Sequence, residues 1–233
     1  GYQLVDSTRG GGNTRNGLGK VIDQVYASAA IMTDADHSWG NNATSDVASE
    51  ASDAHYGVQQ TWDFYKNNFG RTGIYNDGVG VKSIVHVTFR SGGPATGGNA
   101  AWYGAPNKFM AYGLGTSSWY PVVAIDVAGH EMTHGVTEAT AGLAYSNDAG
   151  GLNESSSDIM GTMVEFFANN AADTPDYMIG EKIYRSNPTG KTALRYMFLP
   201  GAADGNRSYN CYPAGGLTGV DPHYSSGPGN HFF

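Results

Sequence analysis

The chain has 233 residues, of which 40% are hydrophobic and only 15% are charged, and its formal net charge is −8. An average chain carries about 25% charged residues, so this surface must be polar mainly through Ser, Asn, Thr, Gly and Tyr. The negative balance argues against nucleic-acid binding, because contacts with phosphate need a basic face. The same balance is compatible with cation binding. No long apolar run is present, so the sequence predicts no membrane-spanning helix.

The length favours one compact unit with two lobes. Cys211 is the only cysteine, so no internal disulfide is expected. The first residues, "GYQLVDSTRGGG", lack the pattern of a signal peptide. Composition therefore leaves two alternatives open, a cytosolic chain or a secreted chain whose leader has been removed.

The first half of the chain predicts one helix among strands. Residues 51–69 favour an amphipathic helix that ends at Gly70, because apolar side chains recur at helical spacing. Residues 81–90 alternate between polar and apolar like a strand. Two further segments beside glycines predict a strand pair: residues 97–105 and 108–115.

The second half predicts helices. Residues 122–140 read as one long buried helix and residues 153–170 as a second, for which Asn153 and the serines at 155–157 are candidate N-caps. The Gly- and Tyr-rich segment after residue 200 is expected to be loop. Strands followed by helices indicate an α+β fold. We expect a β-rich N-terminal lobe over residues 1–123 and a helical lobe over residues 124–233.

The segment "GHEMTH" carries a candidate metal site. His130 and His134 are four residues apart, so a helix stacks both imidazoles on one face, close enough to share a cation. Glu131 cannot turn to the same point, but it can reach a water on the metal and accept its proton. A catalytic zinc needs a third protein ligand, for which Glu154 is the candidate. The alternative is two histidines on a polar helix face.

Two polar residues beside Glu154 are candidates for orienting the histidines. Asn153 and Asp158 can accept hydrogen bonds from the far ring nitrogens of metal-bound imidazoles. The alternatives are helix capping for Asn153 and an exposed acid in the first turn for Asp158.

The segment from "GHEMTHGVTEATAGLAYSNDAGGLNE" to "MVEFFAN" resembles the metal-binding core of the thermolysin family of secreted zinc neutral proteases. The segments "LVDSTRG", "DAHYGVQQTWDFYKN", "NAAWYG", "FMAYGLG" and "DPHYSSG" also resemble family segments, in family order. The resemblance implies a zinc cleft between a β-rich lobe and a helical lobe. It also implies secretion and peptide or protein substrates.

The resemblance assigns further residues to catalysis and to substrate binding. Tyr145 and His223 match the family's oxyanion-stabilising pair, and Asp221 is placed to orient His223. Asn99 and Ala100 match the edge strand that pairs with the substrate. The apolar pocket residues named next would be assigned to the core on periodicity alone. The implied substrate-binding residues are Arg195, which matches the arginine that holds a substrate carbonyl, and the lining of an apolar pocket, Trp119, Val122, Val127, Ile183 and Leu194.

Calcium is the second implied cofactor. The residues that match the family's acidic cluster are Asp126, Glu165, Asp176 and Glu181, with the backbone carbonyl of Met178 as a further ligand. Converging carboxylates repel one another unless a hard cation lies between them; the alternative is four separate surface acids. Asp34 and Asp36 resemble another calcium site more weakly. A further family site is expected to be absent, because its acid falls near Lys191.

Both ends of the chain are short relative to the family pattern. The sequence stops at "GPGNHFF", where the family continues into a helical bundle, and Pro228 and Gly229 are poor helix starters. We therefore expect a truncated bundle that leaves Asp221 and His223 on a weakly anchored segment. No role is expected for the remaining histidines or for the cysteine: His37, His55, His86, His231 and Cys211.

The favoured function is a secreted zinc endopeptidase that cleaves on the amino side of bulky apolar residues. It would use a zinc-activated water and Glu131 as general base. The alternative is a truncated, non-catalytic module that binds metal and peptide. A pure binding module would have no need for Glu131. An exopeptidase is a lesser alternative, since no extra acidic cluster beside Asn99 is available to hold a free amino terminus.

Overall fold

The computed structural model describes residues 1–185 and 190–233. Its N-terminal part is rich in strands and its C-terminal part is helical, so the predicted α+β architecture is confirmed. The elements of the N-terminal part are β1 (Tyr2–Gln3), β2 (Val5–Asp6), β3 (Gly12–Asn16), α1 (Ile22–Val25), β4 (Ala30–Ile31), β5 (Thr33–Asp34), α2 (Val47–Phe69), β6 (Lys82–Val87), β7 (Ala100–Tyr103) and β8 (Phe109–Gly113). A 3₁₀ turn, Ser7–Arg9, follows β2.

One mixed sheet organises the N-terminal lobe. Its strands lie in the order β2-β3-β6-β8-β7, with β4 also paired to β3. The pairs β3–β6 and β6–β8 are parallel, and β7 is antiparallel to β8, with Ala100 opposite Tyr112. The predicted strand pair is therefore present. Because β7 ends the order, its outer edge is free of sheet pairing among the described residues.

Strand β6 is shorter than the predicted strand and bends at His86. The backbone there adopts a positive φ of 58°, within an irregularity of the pairing with β8. The buried carboxylate of Glu50 accepts hydrogen bonds from His86 N at 2.6 Å and faces His86 Nδ1 at 2.9 Å. This contact attaches the first turn of α2 to the sheet. His86 therefore has a structural role, which the sequence did not indicate.

Helix α2 starts four residues earlier than predicted. Asp46 is its N-cap, and the Asp46 side chain accepts a hydrogen bond from Ser49 N. Gly70 ends the helix in the left-handed conformation, as predicted. Ala54, Val58 and Trp62 face the core.

The two helices of the predicted metal site have different bounds from those predicted. The first is α3 (Ile125–Ala139), and the second is α4 (Asn147–Ala168). Helix α4 starts six residues before the predicted start and uses Ser146 as its N-cap position. The expected N-caps Asn153 and residues 155–157 therefore lie inside the helix, and Asn153 is not a cap.

Helices α3 and α4 cross at two glycines. A Cβ on Gly129 would lie 2.9 Å from Gly161 Cα, and a Cβ on Gly161 would lie 2.5 Å from the carbonyl oxygen of Asp126. Only glycines allow backbones to approach this closely. The crossing brings one turn of α3 and one turn of α4 into direct contact.

The segment after residue 200 is not simply loop. The elements that follow α4 are β9 (Met178–Ile179), a 3₁₀ turn (Glu181–Ile183), β10 (Arg195–Tyr196), α5 (Pro200–Ala203), α6 (Pro222–Ser225) and α7 (Gly227–Phe232). The last three are the helices that the sequence did not predict. Pro228 lies in the first turn of α7, where the missing N–H is tolerated.

The expectation of a weakly anchored segment around His223 is also wrong. Ser225, Ser226, Gly227 and Asn230 are buried, and both α6 and α7 pack on α4. None of the helices in the described part of the chain is long and apolar enough to cross a membrane.

Replacing Gly161 by Ala tests the helix crossing. Alanine favours an isolated helix by about 1 kcal/mol over glycine, but here its Cβ would press on the α3 backbone. We expect Gly161→Ala to lower the free energy of unfolding by about 1–3 kcal/mol, as overpacking does. Urea unfolding followed by circular dichroism measures it. Ser156→Ala, at a half-buried position of the same helix, should be nearly neutral. A Gly161→Ala variant more stable than the wild type would contradict the close crossing.

Candidate active site

Three potential metal ligands converge between α3 and α4. His130 Nε2 and His134 Nε2 lie 2.9 Å apart, and the Glu154 carboxylate oxygens lie 3.5 Å from the first and 3.3 Å from the second. Tetrahedral zinc with bonds of about 2.0–2.1 Å places its donors about 3.3 Å from one another. Glu154 Oε2 is buried without a hydrogen-bond partner. The residues therefore fit a divalent cation such as zinc.

The charges around this point also favour a cation. Burial lowers the pKa of His134, but its hydrogen bond to Glu154 and the charge of Glu131 outweigh burial and raise the pKa to about 9. Burial raises the pKa of Glu154, yet the neighbouring histidines hold it well below its usual range. The carboxylate is thus ionised, and either protons on the imidazoles or a metal ion must balance it.

The far ring nitrogens of both histidines are held from α4. His130 Nδ1 lies 2.8 Å from Asp158 Oδ1, and His134 Nδ1 lies 2.6 Å from Asn153 Oδ1. Because carboxylate and amide oxygens only accept, each Nδ1 must donate, which leaves each neutral Nε2 a lone pair for a metal. Ser157 Oγ is also 3.1 Å from His134 Nδ1, a contact that the sequence reading missed.

Arg195 forms a buried ion pair behind the histidines. Its Nε and Nη2 lie 2.6 and 2.5 Å from the two oxygens of Asp158. Burial raises the pKa of Asp158, but the charge of Arg195 and the bond to His130 outweigh it and lower the pKa to about 2. The sequence alternative for Asp158, an exposed acid, is wrong, because Asp158 is fully buried; Arg195 is half-buried.

Glu131 lies beside the free edge of β7. It is buried, and its Oε2 accepts a hydrogen bond of 2.8 Å from Trp102 N. One carboxylate oxygen is thereby fixed against the edge strand, while the residue lines the cleft next to the two histidines.

Tyr145 and His223 meet at the rim of the site. Tyr145 OH donates to Glu154 Oε1 and lies 3.3 Å from His223 Nε2. His223 Nδ1 lies 2.8 Å from Asp221 Oδ1, which also accepts from His223 N at 2.9 Å. Tyr145 is 51% exposed, so it is not a core residue. Tyr145 and His223 therefore line the same cleft as the three ligands.

The three ligands open into a cleft and a smaller pocket. The cleft has a volume of about 520 Å³ and is bordered by Asn99 and Ala100 on one side and by Tyr145 and Glu154 on the other. The pocket, of about 150 Å³, joins it at His130 and Glu131. The apolar lining of the pocket is Trp119, Val122, Val127, Ile179 and Leu194, and Arg195 lines it as well.

The pocket differs from the prediction at two residues. Ile183 does not line it but borders a separate cavity. Ile179, in β9, takes part instead. Ile179 lies in a two-residue strand, which is too short to show a hydrophobic pattern, so the sequence could not assign it to the pocket.

An acidic cluster lies beyond the C-terminal half of α4. Carboxylate oxygens of Glu165, Asp173 and Glu181 all approach within 4.8 Å of one another. All four carboxylate oxygens of Glu165 and Glu181 are buried without hydrogen-bond partners. Burial and the neighbouring carboxylates, Asp126 first, raise the pKa of both Glu165 and Glu181 to about 9. These orphaned oxygens fit a hard cation such as calcium.

The other predicted calcium residues surround this cluster or lie apart from it. Asp126 accepts from Val127 N and Gly180 N, and Asp176 accepts from Met178 N. Asp173, which the sequence reading missed, takes a place in the cluster and lies 3.5 Å from Lys182 Nζ. The sequence did offer one signal for Asp173: it lies three residues before Asp176, which was already assigned to the calcium site.

Asp34 and Asp36 only form local turns. Each accepts a backbone N–H two residues ahead, at 2.8 and 2.9 Å. Neither belongs to a group of potential metal ligands in residues 1–185 and 190–233.

Comparisons with known proteins agree with this arrangement. The family model described as thermolysin metallopeptidase, catalytic domain, matches residues 1–138, and the model described as thermolysin metallopeptidase, alpha-helical domain, matches residues 141–233. The precursor of protealysin, a metalloproteinase from Serratia proteamaculans, has a similar structure, with a TM-score of 0.70 and 27% sequence identity over 94% of this chain and 66% of that one.

Curated relatives include a transglutaminase-activating metalloprotease of Streptomyces mobaraensis, 49% identical over 100% of this chain and 28% of that protein. A thermolysin of Alicyclobacillus acidocaldarius is 39% identical over 85% of this chain and 33% of that protein. The chain thus spans a third or less of the length of these relatives. Both family models together cover nearly every residue, so the chain belongs to the thermolysin metallopeptidase family.

Proposed function

We propose that the chain is the catalytic unit of a zinc-dependent endopeptidase. One observation carries the proposal: His130 Nε2, His134 Nε2 and the Glu154 carboxylate converge within 3.5 Å of one another. The orphaned Glu154 Oε2 and the fixed Nδ1 atoms support a metal ion at that point. When bound there, zinc would act as a Lewis acid on water and on the peptide carbonyl.

Glu131 is proposed as the general base. Its Oε2 is already engaged by Trp102 N, so Oε1 is available to take a proton from the attacking water. The same carboxyl group would then give this proton to the leaving amine. The bond to Trp102 holds the carboxylate at the cleft wall throughout.

Tyr145 and His223 are proposed to stabilise the charge that develops on the carbonyl oxygen. Both side chains line the cleft beside the three ligands, with Tyr145 OH and His223 Nε2 3.3 Å apart. Asp221 holds His223 through Nδ1, which directs Nε2 to the cleft. Donors fixed in advance are usually worth a few kcal/mol of transition-state stabilisation.

Substrate would bind in extended form along β7. The free edge at Asn99 and Ala100 borders the cleft, and an edge strand offers unpaired backbone groups to a peptide. The adjoining apolar pocket lies on the side of Arg195. It supports cleavage on the amino side of bulky apolar residues such as Leu, Phe or Ile.

Calcium is proposed at the cluster of Glu165, Asp173 and Glu181, with Asp126, Asp176 and the Met178 carbonyl around it. The four orphaned carboxylate oxygens of Glu165 and Glu181 support this site. Extracellular action on peptides or proteins is also proposed, on the strength of the family.

The division into lobes at residues 123 and 124 stays a prediction. A non-catalytic binding module is the outcome that would remain if zinc bound without turnover.

Substitution of Glu131 tests the proposed catalysis. With calcium present at neutral pH, the wild type should cleave a blocked Gly-Leu dipeptide amide, lose this activity with a zinc chelator and regain it with zinc. We expect Glu131→Gln to lower kcat by roughly 10²–10⁴-fold, because it removes the general base. Its zinc content should stay that of the wild type.

Asp77→Asn is the control, since Asp77 is exposed and lines neither cavity. A Glu131→Gln variant with nearly full activity would exclude Glu131 as the base. A wild type that holds one zinc ion and cleaves nothing would favour the binding module.

Calcium binding is tested by thermal unfolding. Calcium at about 100 times its dissociation constant should stabilise the wild type by about 2.7 kcal/mol. Glu165→Gln should lose most of this gain. Without calcium, it should be at least as stable as the wild type, because it removes one of several repelling carboxylates. Glu138→Gln, outside the cluster, serves as the control, and an undiminished calcium response of Glu165→Gln would contradict the site.

A further inference from the structure

Asn230, near the end of α7, contacts the proposed zinc site from behind. Its side chain is buried, with 2% exposure, and Asn230 Nδ2 lies 2.8 Å from Asp158 Oδ2. Asp158 is the carboxylate that holds His130 Nδ1. The Asn230 amide and the Asp158 carboxylate thus link the last described helix, α7, to the proposed zinc ligand His130.

The Asp158 carboxylate is fully occupied by nitrogen donors. Its Oδ1 faces His130 Nδ1 and Arg195 Nη2, and its Oδ2 faces Arg195 Nε and Asn230 Nδ2. Arg195 alone could follow a rotation of the carboxylate, because both of its contacts are on one side chain. Asn230 lies on α7, whereas Arg195 lies on strand β10, so Asn230 fixes the rotation that Arg195 leaves open.

Close packing carries Asn230 to this position. The backbone of Gly229 approaches the Ser155 side chain so closely that a Cβ there would collide with it. Gly151 of α4 approaches Ser225 in the same way, since a Cβ on Gly151 would lie only 2.7 Å from Ser225 Oγ. The segment of α6 and α7 is therefore seated directly on α4, and it carries both His223 and Asn230.

The amide orientation follows from the chemistry of its partner. Both oxygens of Asp158 already accept from the Arg195 guanidinium, so the carboxylate acts only as an acceptor and the Asn230 nitrogen must face it. Asn230 Oδ1 is then left buried without a partner among the described residues. A residue that only filled space would be better served by an apolar side chain of similar size.

We infer that Asn230 is a positioning residue for the metal site. It holds Asp158 in the rotation that directs His130 Nε2 to the shared point and keeps Arg195 beside the apolar pocket. This inference rests on the proposed zinc site.

Zinc affinity of the full chain tests the inference. The dissociation constant is measured by competition with a chromophoric chelator for the wild type, Asn230→Leu and Asn230→Asp. Loss of a group that orients a ligand typically lowers metal affinity by about 10–100-fold. Asn230 acts one contact further out, so we expect roughly 3- to 10-fold for Asn230→Leu and a larger loss for Asn230→Asp, which places a second carboxylate against Asp158.

A double-mutant cycle separates positioning from a general structural effect. In an Asp158→Ala background, Asn230→Leu should cost no further zinc affinity, because the acceptor through which Asn230 acts is gone. Phe232→Ala, on the same helix and 93% exposed, is the matched control and should bind zinc as the wild type does. Asn230→Asp keeps the shape of the side chain and provides the reading if Asn230→Leu does not fold.

Each outcome decides a different claim. Wild-type zinc affinity in Asn230→Leu would overturn the inference, and so would an equal loss in both backgrounds. If the wild type itself bound no zinc, the proposed function would fail first, and the variants would not be needed to show it.

Discussion

The close crossing of α3 and α4 at Gly129 and Gly161 is the constraint on which the site depends. It places a Cβ-free surface on each helix, so that the face of α3 with its two histidines meets the face of α4 with Glu154. The same contact brings Asn153 and Asp158 behind the imidazoles. The ligands and the groups that orient them therefore come from two rigid helices. Sites built on such elements hold their geometry better than sites built on loops.

The second constraint on the structure is the need to balance the charge of buried carboxylates. Two places bury carboxylates beyond what their hydrogen bonds can satisfy: the shared point of His130, His134 and Glu154, and the cluster around Glu165. Burying an ionised group without compensation is very costly, so each place needs a positive charge. At the first place the imidazoles can supply protons, as the raised pKa of His134 indicates. At the second, the raised pKa values of Glu165 and Glu181 reflect crowded carboxylates that a cation would relieve.

Local patterns predicted the elements well where one face is apolar or a glycine stops a helix. The α+β order, the strand pair β7–β8 and the end of α2 at Gly70 followed from such patterns. The start of α4 did not, because Gly150 and Gly151 resemble a turn in sequence but allow close packing against Pro222 and Ser225 in the fold. Asn230, Ile179 and Asp173 were missed for a related reason: each acts through contacts with segments far away in the chain, for which no local spacing exists. The short helices α6 and α7 likewise form because they pack on α4, and α5 packs on β10 and α7.

The most direct test of the account is the position of zinc in a crystal of the protein, located by anomalous scattering at the zinc edge. The account predicts one dominant peak about 2.0–2.2 Å from His130 Nε2, His134 Nε2 and a Glu154 oxygen, with an open position toward Tyr145 and His223. A dominant peak in the acidic cluster of Glu165, or no peak between the histidines in a crystal that contains zinc, would contradict it.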